Sequence, residues 1–131
     1  MFSERLTLAL VGAFLFVSAA DFVSQNAQAG SPTVKPLKLE HMDYSRARKV
    51  ILTDGWHPMG GPCMQVGENT CAHFPEIDVC TMVAPTYCAM VFIKQNQCLY
   101  IGTSGDPPNG SDEGAMRVET ATFRPGPCSK N

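Results

Sequence analysis

Asp43-Tyr44-Ser45-Arg46-Ala47-Arg48-Lys49-Val50-Ile51-Leu52-Thr53-Asp54-Gly55-Trp56-His57-Pro58 decides how this chain is built. Tyr44, Ala47, Val50 and Ile51 recur at the spacing of one helical face. Arg46, Arg48 and Lys49 supply the wetter side, and Asp43 is placed to cap the first turn with its carboxylate. Gly55 ends the helix, because glycine enters the left-handed conformation without a steric penalty. Trp56, the single tryptophan of the chain, follows at once. Its indole is expected to plug this helix against a following sheet.

Upstream, residues 1–29 read as a secretory signal. Arg5 gives a charged start, Leu6 to Ala20 an apolar core, and Ala27-Gln28-Ala29 a small-x-small cleavage site. The apolar run is short for a membrane span and lacks a basic stop-transfer flank, the rival reading being an uncleaved membrane anchor. The expected mature chain starts near Gly30, long enough for one small domain and with no stable membrane anchor after cleavage. Removing Arg5, Glu4 and Asp21 from ten basic and twelve acidic residues leaves nine and ten. Near-neutral charge argues against electrostatic capture of nucleic acid. The cluster Arg46, Arg48, Lys49 is read as a solvated helix face.

Cys63, Cys71, Cys80, Cys88, Cys98 and Cys128 all lie in the expected mature chain. Six cysteines in an exported domain of this size point to three disulfides, with fifteen possible connectivities. Cys128 is placed to tie the carboxyl end to the body, and Cys80 and Cys88 to close on each other around a loop containing Pro85. No Cys-x-x-Cys occurs, so neither a zinc site, haem attachment nor thioredoxin-like chemistry is indicated, and no cofactor is expected.

Residues 30–42 form an extended lead-in broken by Pro32 and Pro36, with Leu37 and Leu39 able to dock as a short strand. Pro58, Gly60, Gly61 and Pro62 signal a loop, and the region to Asn69 reads as irregular and exposed. Pro75 delays any strand in the following segment, where Ile77 and Val79 suit a brief one. Ala89 to Lys94 is the strongest strand, apolar enough for both faces to be covered. Gln95-Asn96-Gln97 makes a polar turn in which Asn96 can tolerate positive φ, and Cys98 to Thr103 returns. A turn-rich acidic loop then spans Thr103 to Gly114, and Arg117 to Arg124 closes the chain as a strand. Val118 and Phe123 have opposite parity there, which requires either a bulge or two partly buried faces. Residues 43–131 are therefore expected to form a small disulfide-stapled α+β domain, one helix packed on an antiparallel sheet.

The sequence selects no activity. Ser104 does not sit in a Gly-x-Ser-x-Gly elbow. His57, His73, Glu76 and Asp78 are the weak catalytic candidates; Glu76 and Asp78, two apart, could share a face as paired carboxylates. No spacing assembles a nucleophile, base and orienting group. The leading expectation is an exported binding or interaction module of the bacterial envelope, for instance an inhibitor of a cell-wall enzyme, with an unidentified envelope macromolecule as partner. The alternatives are a small envelope hydrolase or a purely structural envelope protein. An exposed apolar patch around Met59, Met64, Met82 or Met116 would mark the binder.

Two resemblances accompany this reading. Ala47, Ile51, Gly55 and Trp56 resemble the helix-to-strand unit of PASTA domains, which would imply peptidoglycan binding. Tyr44-x-x-Ala47-Arg48 with Gly55-Trp56-x-Pro58, the segment Phe74-Pro75-Glu76 to Cys80, and Cys88 before an apolar strand are similar to small uncharacterised exported proteins of Gram-negative bacteria. That similarity implies export and supplies no activity.

Overall fold

The computed structural model describes residues 35–130. The signal expected over residues 1–29, and residues 30–34 of the lead-in, lie outside them. The described chain runs α1 (Tyr44–Thr53), β1 (His57–Pro58), α2 (Glu68–His73), β2 (Ile77–Cys80), β3 (Thr86–Lys94), β4 (Gln97–Asp106) and β5 (Ala115–Pro125). The five strands form one antiparallel sheet, and α1 is the main helix. β3 is central, flanked on one side by β1 and β2 and on the other by β4, with β5 at the far edge. This is the α+β, disulfide-stapled architecture expected from the sequence.

α1 presents Tyr44, Ala47 and Ile51 to the core. Val50 is instead 37% exposed, because it lies on the flank of the stripe. Asp43 makes no side-chain cap; its carbonyl accepts the Ala47 N–H at 2.9 Å, and the residue forms a backbone bridge to Arg117. Pairing with the sheet edge thus overrides the expected carboxylate cap. At the other end Gly55 has φ +86°, with Gly55 N–H donating to Leu52 O and Trp56 N–H to Ile51 O. This paired arrangement satisfies the last helical carbonyls. It drives Trp56 directly into the core, 1% exposed, with its ring 5.7 Å from that of Phe123.

The sheet face that meets the helix is set by register. Phe92, Leu99 and Phe123 align across β3, β4 and β5, as do Met90, Ile101 and Ala121. Gly102 opposes Thr120 but Thr103 opposes Val118, so Glu119 is an extra residue in β5. That bulge is the physical answer to the parity conflict: it brings Val118 and Phe123 to the same side. The outer edge of β5 is covered at Val118, which accepts from His41 N–H and donates to Met42 O.

Several expectations are corrected. Leu37 and Leu39 form no strand; Leu39 is fully buried as an irregular anchor. The region before Phe74 contains α2, whose six residues are too few for a helical period to register in sequence. Tertiary ties hold it: the Cys63–Cys71 disulfide and Thr70 Oγ1, which accepts Gly110 N–H at 2.8 Å. The brief strand expected at Ile77 and Val79 is present as β2, although a pairing irregularity separates the two, Ile77 fully buried and Val79 half-buried. Positive φ in the β3–β4 turn falls on Gln95, not Asn96, while Gln97 already belongs to β4. β4 also extends to Asp106, shortening the loop that follows.

The disulfides are Cys63–Cys71, Cys80–Cys88 and Cys98–Cys128, with no free cysteine among the described residues. Three bridges mark an oxidising environment. No helix among the described residues is long and apolar enough to cross a membrane.

Candidate functional site

The weak catalytic candidates occupy separate settings. His57 is exposed on β1, opposite Ile93. His73 is exposed at the end of α2, its Nδ1 2.9 Å from Asn69 O. Ser104 donates its hydroxyl to Glu119 on the exposed sheet surface. Asp78, on β2, is 2% exposed and borders a shallow hollow with Val91, Tyr100, Thr122 and Arg124. Among the described residues, no three His, Cys, Asp or Glu side chains gather closely enough to hold a metal ion.

Glu76 is fully buried and engaged with α1. Tyr44 donates its hydroxyl to Glu76 Oε1 at 2.7 Å, and Arg48 Nε donates to the same oxygen. Arg48 Nη2 reaches His73 O at 3.3 Å, and its guanidinium lies 5.1 Å from the Phe74 ring centroid. The carboxylate therefore joins the helix to the segment entering β2. Arg48, read from sequence as part of a wet face, is turned inward; its position four residues after Tyr44 is the signal that places both on neighbouring parts of that face.

Burial, then the proximity of the Glu76 carboxylate, raises the Tyr44 phenol well above its usual value. An unfolded phenol ionises near ~10. Stability linked to Tyr44 is thus complete below about pH 10 and declines above it, by about 1.4 kcal/mol per pH unit, until the folded phenol also ionises. In an alkaline titration followed at 295 nm, Tyr44 should gain phenolate absorbance only as the protein unfolds. Tyr44→Phe should remove the steep alkaline loss; an unchanged alkaline profile in that variant would contradict this role.

The carboxyl end crosses the sheet face away from α1. Cys128 is bonded to Cys98, Ser129 N–H donates to Tyr100 Oη at 3.3 Å, and Lys130 Nζ donates to Pro75 O and Ile77 O at 2.8 and 2.7 Å. Partial burial lowers the Lys130 ammonium below its usual value, against the opposing influence of Asp78 and Glu76. These contacts fasten the start of β2 to the carboxyl end.

The tip of the β2–β3 hairpin has a different character. Cys80 lies opposite Cys88 in register, and their disulfide closes the loop at its base. Thr81 N–H donates to Tyr87 O at 2.8 Å, and Tyr87 N–H donates to Thr81 Oγ1 at 2.9 Å. Beneath the base, Thr103 Oγ1 donates to Cys88 O from the core. Beyond these ties Met82 is 78% exposed, Val83 68% and Tyr87 53%. Met64, 42% exposed, bridges to Val79 beside the hairpin. No charged residue occurs between Asp78 and Lys94. Of the four methionines proposed to mark a binding surface, Met82 and Met64 are exposed, Met59 is half-buried and Met116 is buried.

An unstapled loop of this composition could fold its apolar side chains inward. Here the disulfide and cross-loop bonds hold them outward, which lowers the ordering cost of binding. The uncharged run between Cys80 and Cys88 was the available sequence signal for this tip; the exposure of its side chains was not readable there. No protein-family model, curated protein or solved structure matches this chain.

Proposed function

We propose that the protein is a small exported binding module of the bacterial envelope that engages a macromolecular partner through the Cys80–Cys88 hairpin tip. The observation carrying this reading is the outward display of Met82 and Val83 on a covalently closed loop. Isolated exposed apolar residues are ordinary, but a rigid, uncharged cluster of them suits recognition. The oxidising environment indicated by three disulfides supports residence in the periplasm or outside the cell.

Oxidised wild-type protein and the Met82→Asp variant, immobilised at equal density, would test this with envelope extract. The wild type should retain a discrete partner, and Met82→Asp should weaken retention at least about tenfold, the consequence of placing a charge in a desolvated contact. Equal retention by the two proteins would overturn the assignment of binding to the tip. Native mass should begin near Gly30 if export removes the expected signal; an intact amino terminus in envelope-derived protein would contradict that step.

A further inference from the structure

We propose that the Cys80–Cys88 loop is a substrate-like inhibitory loop for serine endopeptidases with an apolar primary pocket, with Met82 entering that pocket and Met82–Val83 presented to the nucleophile. This rests on the reading of the tip as a binding surface and specifies its partner by chemical class. Endopeptidases of this kind recognise a peptide through a side chain in a specificity pocket while holding the scissile carbonyl near a serine and an oxyanion hole. Met82 is the most exposed large apolar side chain among the described residues, and it is unbranched at Cβ. Val83 follows it outward, whereas Val83 itself is β-branched and Ala84 is followed by a proline ring nitrogen.

The loop also offers main chain. Met82, Val83 and Ala84 make no hydrogen bond among the described residues, so their N–H and C=O groups are open to a protein cleft. Inserting the same groups into hydrocarbon would leave them unsatisfied, at a cost of several kcal/mol each. The absence of basic residues from Val79 to Ile93 likewise supplies no attraction to anionic lipid headgroups. A peptidase cleft therefore suits the tip better than a bilayer.

The disulfide explains why such a loop would inhibit. The peptidase serine gives its hydroxyl proton to the peptidase histidine as its oxygen bonds to the Met82 carbonyl carbon, the Met82–Val83 C–N bond breaks, and the Val83 nitrogen takes that proton from the histidine. The products are an acyl ester to Met82 and a free Val83 amine. Cys80 lies on the acyl side and Cys88 on the amine side, so their S–S bond keeps the amine from diffusing away. Thr81 and Tyr87 hold the two sides together through their own pair of hydrogen bonds. As the amine attacks the ester it returns its proton to the histidine, which passes it to the departing serine oxygen, and the peptide bond is restored. Tethering converts that return into an intramolecular reaction with an effective concentration of millimolar order or above.

The test uses oxidised full-length protein titrated against chymotrypsin, elastase, subtilisin and trypsin with small chromogenic substrates. Saturable, stoichiometric inhibition of at least one of the first three is expected, without inhibition of trypsin. Met82→Lys should shift the inhibition-constant ratio toward trypsin by about a hundredfold or more, because the trypsin pocket carries an acidic group. Thr81→Ala should weaken inhibition about tenfold by loosening the loop. Reduction and alkylation should convert the inhibitor into a substrate cleaved between Met82 and Val83. Absence of inhibition by the oxidised wild type, together with absence of trypsin inhibition by Met82→Lys, would overturn the proposal. Binding to phosphatidylcholine vesicles without peptidase inhibition would overturn it in favour of a lipid surface. Tip-dependent retention of a different class of envelope protein would overturn the peptidase assignment while leaving the binding-module reading intact.

Discussion

Replacing Glu76 with alanine should lower the unfolding free energy by about 3–5 kcal/mol, the range for removing one partner of a buried charge pair. Glu76 is completely buried, and its loss strips the Tyr44 hydroxyl and Arg48 guanidinium of the same acceptor. Tyr44 is itself 1% exposed, so water does not freely replace the lost bond. Denaturant unfolding should show a lower midpoint with little change in slope. Glu76→Gln retains an acceptor for Tyr44 while removing the charge facing Arg48 and should fall between wild type and Glu76→Ala. A Glu76→Ala cost within about 1 kcal/mol would mean that the cluster orders the local chain without stabilising the fold. Because Val91 N–H also donates to Glu76 O at 2.9 Å, the backbone of this residue remains tied to β3 in all three proteins.

The comparable effect is expected at Trp56. Trp56→Ala should destabilise by about 3–5 kcal/mol, through lost apolar burial and the cavity left beside Phe123. Trp56 Nε1 also donates to Asp54 Oδ2 at 3.1 Å, and Lys94 Nζ reaches that same oxygen at 3.1 Å. Trp56→Phe preserves much of the packing but removes the indole donor, and about 1–2 kcal/mol is expected because the aspartate is partly exposed and keeps Lys94. Calorimetry or denaturant titration would order the three proteins wild type, Trp56→Phe, Trp56→Ala. Equal stability of Trp56→Phe and Trp56→Ala would remove the argument that ring burial dominates. An equal loss in both variants would instead assign the effect to the Asp54 bond, which both substitutions remove.

The helix, its glycine stop and the buried tryptophan were legible because local conformation and hydrophobic period agree over Tyr44–Trp56. The β3–β4 hairpin was legible for the same reason, an apolar run followed by a polar turn. α2 was not, since six residues held by a disulfide and a loop contact leave too short a pattern. Glu76 was read as one of a pair of candidate carboxylates, but its burial depends on Tyr44 and Arg48, separated from it by 32 and 28 residues. Asp43 likewise has the composition of a cap, yet its backbone pairing with Arg117 is a tertiary event that local propensity does not contain. The tip was partly legible through its flanking cysteines and Pro85; the outward orientation of Met82 and Val83 required the cross-loop geometry.

The order of the disulfides bears on how the chain matures. Cys63 joins Cys71, Cys80 joins Cys88 and Cys98 joins Cys128, so the six cysteines pair consecutively in chain order and no bridge interlaces with another. A polypeptide emerging amino end first into an oxidant can close each ring before the next pair arrives. Oxidation in order of appearance therefore yields the native connectivity directly, and thiol–disulfide exchange is needed only to repair departures from that order.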